Sequence, residues 1–357
     1  MILHSVGPGP GALAAPEIAR EIAGTGCRVE VVLNPGARHF VGHAAFEGAT
    51  VEEPSEPPEA VVFAPATAGT LARLARGLGG VLASRVFVAP DLDAPTAEHP
   101  AVKENLALLR EDGCRIISGR GGGMAPAREV IAGVLGGLDG PMSGLRVLVT
   151  AGGTREPMDS VRFIGNRSSG KMGIAIAREA LRRGAEVSVV AANVEEREPG
   201  TEWATVETVE EMREEVLRRG GEADALVMAA AVSDFKPVSQ AEKKIRRGAG
   251  GLSLELEATA DILKEVRERY PDLFVVGFAA THGDPVPDAR EKLGSKGANL
   301  VVGNDISRAG IGFGANENEV YVVGLGGERF VPRSSKEVVA RVILESLLEE
   351  MSTERQG

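Results

Sequence analysis

A chain of 357 residues is long enough for two domains, and its 43% hydrophobic and 25% charged residues are typical of a globular protein. Its formal net charge of -11 argues against a nucleic-acid-binding surface, which needs a basic patch, although a few local cations are enough to bind a small anion. Two cysteines cannot supply a disulfide framework or a metal site, and no apolar stretch is long enough to cross a bilayer, so we expect a cytoplasmic protein.

In residues 1–140, short apolar runs alternate with helical patterns. The predicted strands cover residues 2–6, 29–34, 60–66, 86–89 and 115–118. The predicted helices cover residues 14–23, 69–78, 101–111 and 127–135. Because continuous apolar strands separated by helices are typical of a parallel sheet covered on both faces, this pattern predicts an α/β domain.

A Gly-rich stretch at residues 136–144 predicts a linker, after which the pattern restarts, so we expect a second α/β domain and assign the domains to 1–140 and 141–357. The second set of predicted strands covers residues 145–150, 186–191, 225–230, 274–278 and 300–302. Further helices are predicted at residues 171–183, 210–218, 261–270 and 334–350. The apolar runs 319–324 and 328–331, separated by L-G-G, predict a β-hairpin.

Two candidate anion-binding elements open the second domain. Gly152 and Gly153 follow its first strand, where glycines let the backbone approach a nucleotide closely, although a Gly-Gly pair is often only a turn. Residues 166–173, N-R-S-S-G-K-M-G, lead into a predicted helix, so free N–H groups would face an anion there and Lys171 would add a positive charge. The alternative is a helix cap made by one of the two serines, and the residues alone leave both interpretations open.

Further candidates follow later predicted strands. Asp234, in the run A-A-A-V-S-D-F-K, is suited to hold a sugar hydroxyl or a metal, and an ordinary surface turn is the alternative. The polar residues 238–251, with Lys244 and Arg247 among their basic side chains, predict a mobile loop, and a plain solvated loop is the alternative.

The order of these elements is more specific than any one of them. Lys292 and Lys296 lie one helical turn apart, downstream of the run G-F-A-A at 277–280. With the segment 151–173, A-G-G-T-R-E-P-M-D-S-V-R-F-I-G-N-R-S-S-G-K-M-G, and the runs A-A-V-S-D-F and K-I-R-R, they resemble the ligase half of a known family. This family is the bacterial coenzyme A biosynthesis bifunctional proteins, phosphopantothenoylcysteine decarboxylase/phosphopantothenate–cysteine ligase, and the resemblance covers essentially all of 141–350.

The resemblance implies an α/β protein with a flavodoxin-like, doubly wound flavoprotein domain followed by a Rossmann-like ligase domain. Family members activate the carboxylate of 4′-phosphopantothenate with CTP, giving an acyl cytidylate and pyrophosphate; the amine of cysteine then forms the amide and releases CMP. Mg²⁺ is the expected partner of the triphosphate, although no ligand cluster in the sequence marks its site. The implied partners are these small substrates and a second copy of the chain, at least a dimer through the ligase domain, with no nucleic acid and no membrane.

The same resemblance implies the site residues. The implied catalytic residues are Asn166 and Lys244. The implied nucleotide-binding residues are Gly152, Gly153, Asp234, Lys244, Ala260, Asp261, Ile262, Leu263, Phe278, Lys292 and Lys296. The implied substrate-binding residues are Asn166, Ser168, Ser169, Gly170 and Lys171. The sequence departs from the family where Thr259 and Ala260 replace Asn-Pro, and where Thr281 and His282 follow the G-F-A-A run.

In the first domain, the resemblance to the flavin-dependent decarboxylase half extends to the scaffold, through A-P-A-T-A-G-T at 64–70. The catalytic residues do not carry over. The stretch before that run contains no histidine, P-D-L-D with Asp91 and Asp93 replaces the family's P-A-M-N, and G-R-G-G-G-M at 119–124 lacks the family cysteine. We predict that decarboxylation is lost and that FMN binding is doubtful; an enzyme that also decarboxylates phosphopantothenoylcysteine is the alternative. An NAD(P) oxidoreductase is disfavoured because G-x-G-x-x-G is absent.

Overall fold

The computed structural model describes residues 1–25, 27–78, 83–246, 252–308, 310, 312 and 314–354. The chain divides into two compact units, Met1–Pro141 and Met142–Gly357, and each has its own sheet and buried core. In the part of the chain that is described, no helix is long and apolar enough to span a membrane.

The first unit is built on a five-stranded parallel sheet with the strand order β2-β1-β3-β4-β5. Its strands are β1 Ile2–Val6, β2 Val29–Leu33, β3 Ala60–Ala66, β4 Arg85–Pro90 and β5 Arg115–Ile116. Its helices are α1 Ala15–Ala23, α2 Ala68–Ala75, α3 Ala94–Glu98, α4 Pro100–Glu111 and α5 Ala127–Leu135. Short 3-10 turns cover Pro10–Ala14, Pro35–His39, His43–Phe46 and Arg120–Gly122.

Two apolar clusters enclose this sheet. One contains side chains of α1 and α5, and the other contains side chains of α2 and α4. Strand β3 is buried along its whole length, since it lies inside the sheet and is covered on both sides. The predicted parallel sheet with helices on both faces is therefore confirmed for the first unit.

The second unit has an eight-stranded sheet with the order β10-β9-β6-β11-β14-β15-β16-β17, in which the first six strands are parallel and the last two antiparallel. The strands of this sheet are β6 Arg146–Gly152, β9 Glu186–Ala192, β10 Glu202–Val206, β11 Ala225–Met228, β14 Phe274–Thr281, β15 Leu300–Asp305, β16 Glu317–Gly324 and β17 Gly327–Ser335. Two small ribbons are formed by β7 Arg155–Pro157 with β8 Phe163–Gly165 and by β12 Phe235–Pro237 with β13 Leu256–Ala258. The helices are α6 Lys171–Arg182, α7 Val209–Gly220, α8 Ile262–Arg269, α9 Val286–Lys296 and α10 Lys336–Glu354.

Helices again cover both faces of this sheet. Side chains of α6 and α10 belong to one apolar cluster, and side chains of α7, α8 and α9 belong to the other. The predicted Rossmann-like arrangement and the hairpin near the end of the chain are both found. Strand β10 and the four ribbon strands are not predicted by the sequence pattern; in the ribbons, three residues are too few to show an alternation of apolar and polar side chains.

The strand order of the second unit reverses between β6 and β11. The chain first builds outward from β6 to β9 and β10, and then returns to place β11, β14 and β15 on the other side. In open α/β sheets, ligands bind outside the carboxyl ends of the strands at such a reversal. The topology therefore predicts a ligand site at the loops that follow β6 and β11.

Candidate active site

A cavity of about 500 Å³ lies at this position in the second unit. It is lined by the loop after β11, by β14 and the end of β15, and by the first turns of α6, α8 and α10 together with α9. The residues that line it are Asn166, Ser168–Met172, Met228–Asp234, Thr259–Leu263, Phe278, Ala280, Lys292, Lys296, Asn304, Gly312, Gly314, Asn318 and Lys336. Its volume is in the range of ordinary small-molecule sites.

The structure thus brings thirteen of the sixteen predicted site residues to one cavity, and only Gly152, Gly153 and Lys244 do not line it. Only glycine fits at position 152, because its φ is +87° and a Cβ atom there would lie 1.9 Å from the carbonyl oxygen of Ala192. Gly153 is similarly close to the carbonyl oxygen of Asn166, 2.9 Å from an added Cβ. The glycine pair allows the loops around the cavity to pack tightly.

The start of α6 forms one wall of the cavity. Gly170, with a φ of +78°, is the N-cap residue, and no side chain caps this helix. The predicted alternative of a serine cap is therefore not what the structure shows, and the free N–H groups of the first turn are available to an anion. The amide of Asn166 is oriented by its Nδ2 group, which donates to the carbonyl oxygen of Val232 at 3.0 Å.

Two lysines lie in this part of the cavity. Lys171 Nζ donates to the Gly314 carbonyl oxygen at 3.2 Å and to Asn316 Oδ1 at 2.7 Å. Lys336 Nζ donates to the Gly312 carbonyl oxygen at 3.2 Å. Burial, and then the positive charge of Lys171, lower the pKa of Lys336 to about 8. An ammonium group has three donors, so both lysines keep donors for an anionic ligand.

The sequence motifs do not single out Lys336, and only a helix over residues 334–350 is predicted there. The signal that could have found it is its position at the start of α10. A cation at a helix N-terminus faces the positive end of the helix dipole and is unfavourable there without another purpose. The residue is also only 6% exposed, which is rare for a lysine.

A second lysine pair, Lys292 and Lys296 on α9, lines the same cavity. Lys296 forms an ion pair with Asp261, the N-cap residue of α8, which also accepts from the Lys264 N–H at 3.2 Å. Lys292 Nζ donates to the carbonyl oxygen of Phe278, and burial followed by the charge of Lys296 lowers the pKa of Lys292. The predicted one-turn spacing on α9 thus places both ammonium groups at the same cavity.

The loop after β11 is fixed by its neighbours. Thr154 Oγ1 accepts from the Ser233 N–H at 2.9 Å, and Thr259 Oγ1 donates to the Ser233 carbonyl oxygen at 2.6 Å. Asp234 is exposed to solvent at the cavity wall. Thr259, one of the departures from the family pattern, therefore serves to hold this loop.

Lys244 lies outside the cavity wall and is exposed. Its neighbour Ile245 is held by a buried carboxylate, because the Ile245 N–H donates to Asp159 Oδ2 at 3.0 Å. Arg247 and the end of the predicted loop, residues 247–251, lie outside the described residues.

In the first unit, the strand order reverses between β1 and β3, and Asp91 lies in the loop after β4. Its carboxylate accepts hydrogen bonds from the Gly11 N–H at 3.0 Å and from the Met124 N–H at 3.3 Å. The turn after β1, G-P-G-P-G, carries two prolines, which have no N–H to donate. Asp93 caps α3 by accepting from the Thr96 N–H at 2.8 Å.

The chain is similar to several known proteins. The sequence model of the family described as "DNA/pantothenate metabolism flavoprotein C-terminal domain" matches residues 142–351. The coenzyme A biosynthesis bifunctional protein CoaBC of Thermococcus kodakarensis is 36% identical, with 93% of this chain and 91% of the relative aligned. The protein of the same name from Bacillus subtilis is 32% identical over 97% of this chain and 96% of its own. A crystal structure of the C-terminal domain of a CoaBC protein, 35% identical, superposes with a TM-score of 0.52 and covers 61% of this chain and all of that one.

Proposed function

The chain belongs to the family of coenzyme A biosynthesis bifunctional proteins, and on this premise we propose that its second unit joins 4′-phosphopantothenate to cysteine with CTP. The observation that carries the proposal is the single cavity that combines an uncapped helix N-terminus with two lysine pairs. A reaction between a carboxylate and a triphosphate must bring two anions together. Fixed cations and N–H dipoles reduce the electrostatic repulsion between the two anions and stabilise the charge that develops at the α-phosphate.

The proposed reaction has two steps. A carboxylate oxygen of phosphopantothenate attacks the α-phosphorus of CTP, which forms an acyl cytidylate and releases pyrophosphate. The amine of cysteine then attacks the acyl carbon, forms the amide, and CMP leaves with the bonding electrons of the broken acyl–oxygen bond. Activation must come first, because a carboxylate is a poor electrophile until its oxygen becomes a good leaving group.

The uncapped start of α6 is the proposed site for phosphate groups. Its first-turn N–H groups, with Ser168, Ser169, Gly170 and Lys171, suit the oxygens of an anion. Asn166, held by Val232, is proposed to contact the acyl cytidylate through its amide. Lys244 is the proposed catalytic cation, and its exposed side chain is proposed to reach the bound substrates.

The part of the cavity around α8 and α9 is the proposed nucleoside site. Lys292 and Lys296, with Asp234 and the first turn of α8, supply charged and polar groups beside the apolar side chain of Phe278. Mg²⁺ is proposed to accompany CTP as the partner of its triphosphate. Within the described ranges, no group of three or more His, Cys, Asp or Glu side chains could hold a metal ion.

For the first unit, we propose that decarboxylation is lost. In flavodoxin-like sheets FMN binds at the reversal between β1 and β3, where N–H groups after β1 receive its phosphate. Here the Gly11 N–H is bonded to the Asp91 carboxylate, and the prolines remove other donors. Burial raises the pKa of the Cys114 thiol, which therefore does not stand in for an acidic family cysteine. These residues do not fit FMN.

We also propose a homo-oligomer formed through the second unit. The two small ribbons expose Val161, Phe163, Phe235 and Val238, each about half exposed or more. A group of exposed large apolar side chains on neighbouring elements is typical of a surface that another protein covers.

The test of the ligase is pyrophosphate release by the purified protein with CTP, 4′-phosphopantothenate and cysteine. We expect release that requires the phosphopantothenate, is faster with CTP than with ATP, and falls sharply in Lys244→Ala. The same samples show whether the alternative, a fully bifunctional enzyme, is correct: it predicts a yellow protein that releases CO₂ from phosphopantothenoylcysteine. A protein without CTP-dependent pyrophosphate release would contradict the ligase.

A further inference from the structure

The segment 158–162 forms hydrogen bonds with the backbone of the loop that carries Lys244. The Ala241 N–H donates to the Met158 carbonyl oxygen at 2.9 Å, and the Ile245 N–H donates to Asp159 Oδ2 at 3.0 Å. Arg162 Nη2 closes the contact by donating to the Ile245 carbonyl oxygen at 2.6 Å. The backbone on both sides of Lys244 is therefore held by one short piece of chain.

The two carboxylate oxygens of Asp159 accept different sets of hydrogen bonds. Oδ1 accepts from the N–H groups of Val161 and Arg162, both at 2.8 Å, and so shapes the turn between β7 and β8. Oδ2 accepts from the Arg162 guanidinium, with Nε at 2.9 Å, and from the Ile245 N–H. Oδ1 thus serves the local turn, and Oδ2 links Arg162 of that turn to the distant loop.

The carboxylate is only 3% exposed and remains charged. Burial alone would raise the pKa of Asp159, but the hydrogen bonds from Ile245 and Arg162 hold it well below its usual range. A buried charge that is fully hydrogen-bonded fixes the groups around it, because moving any of them leaves the charge unsatisfied. The backbone beside Lys244 is fixed by these hydrogen bonds. Its side chain is exposed and therefore remains free to reach a ligand.

We propose that Asp159 and Arg162 are positioning residues that fix the backbone at Ile245 and thereby hold Lys244 where it can act in the nucleotide-dependent step. This inference rests on the proposed function and adds a role for the D-x-V-R part of the segment 151–173. It differs from a purely structural role of Asp159, which would need only the turn contacts of Oδ1.

Asp159→Asn separates the two roles. An asparagine keeps one oxygen for the turn, but its amide nitrogen cannot accept from Ile245 or from the guanidinium. We expect kcat for pyrophosphate release to fall roughly tenfold or more, with a smaller change in the KM for CTP, because the loss is in the positioning of a group that acts during turnover. Amide hydrogen exchange at Ile245 should also become faster.

Asp224→Asn is the matched control. Asp224 Oδ2 likewise accepts a backbone N–H, from Arg146 at 2.7 Å, and faces the Arg146 side chain, yet it lies at the amino ends of β6 and β11. We expect the control to keep the wild-type kcat.

The deciding measurement is a double-mutant cycle of full-length wild type, Asp159→Asn, Lys244→Ala and the double variant. If Asp159 acts through Lys244, the double variant is about as slow as Lys244→Ala alone, whereas independent roles multiply. Multiplying effects, or a wild-type kcat in Asp159→Asn, would overturn the inference. Failure of the proposed function is a different result, a wild-type protein without CTP-dependent pyrophosphate release.

Discussion

The carboxylate of Asp91 accepts a hydrogen bond of 3.0 Å from the backbone N–H of Gly11, and so a side chain of the first unit occupies the turn that follows β1. In sheets of this topology the same turn receives the phosphate of a bound nucleotide. The protein thus supplies its own anion at this position, and the first prediction tests that substitution.

Asp91→Ala should allow the turn after β1 to bind an anion. Removing the carboxylate leaves the half-buried N–H groups of Gly11 and Met124 without their acceptor, and each costs less than the ~1–3 kcal/mol of a fully buried unsatisfied group. Inorganic phosphate or FMN should then raise the melting temperature of the variant and not that of the wild type. Asp93→Ala, which removes only the cap of α3, is the control. A wild-type protein that purifies with bound flavin would contradict this account.

Lys336→Met should weaken nucleotide binding. A hydrogen bond to a charged group contributes ~1.5–3 kcal/mol, so the KM for CTP should rise roughly tenfold to a hundredfold. In the wild type the KM should rise as the pH increases through about 8, because Lys336 loses its proton there. The variant should lack this rise, and Lys103→Met, at an exposed position of α4 in the first unit, should keep it. Equal pH profiles for the wild type and Lys336→Met would show that Lys336 does not bind the nucleotide.

The same lysine makes the folding free energy depend on pH. Its pKa is about 8 in the folded state and about 10.5 in an unfolded chain, so between these values the unfolded state binds the proton more tightly. The contribution of Lys336 to stability therefore increases as the pH rises through this window. Urea unfolding from pH 7 to pH 10 should show this gain in the wild type and a smaller one in Lys336→Met.

Gly152→Ala should be much more damaging than a substitution at a glycine that is strained but unobstructed. An added Cβ would meet the Ala192 carbonyl oxygen at 1.9 Å, and the backbone has a φ of +87°. Gly144 has a similar φ of +80° but open space around it, so Gly144→Ala should cost only the ~1–2 kcal/mol of left-handed strain. Denaturant midpoints of the two variants measure the difference, and equal losses would count against the steric argument.

Phe235→Ser should shift the protein toward a smaller assembly if the ribbon surface is the proposed oligomer contact. The ring is 55% exposed, so replacing it disturbs little of the core. Leu325→Ser, at the 86% exposed tip of the β16–β17 hairpin, is the matched control and should leave the mass unchanged. Light scattering at several protein concentrations distinguishes the two outcomes, and an unchanged mass for Phe235→Ser would exclude this surface.

The sequence predicts the fold from local apolar patterns, whereas the site residues follow from the order of several motifs and the family resemblance that they carry. The run 166–171 and the spacing of Lys292 and Lys296 each place several cavity residues on one helix end or face. Lys336 and the Asp91–Gly11 contact are not predicted, because each depends on residues far apart in the chain that only the sheet order brings together. The hydrogen bond from Ile245 to Asp159 has the same origin, because donor and acceptor lie 86 positions apart in the chain.

The position of Lys336 at the start of α10 also bears on synthesis of the protein. A ribosome makes the chain from its amino end, so Asn166, Lys171 and Lys292 emerge well before the final wall of the cavity. A nascent second unit that ends before α10 also lacks the helix that packs beside α6 in the core. The complete anion site therefore exists only once the last helix has docked, and incomplete chains cannot sequester the nucleotide with the full set of lysines.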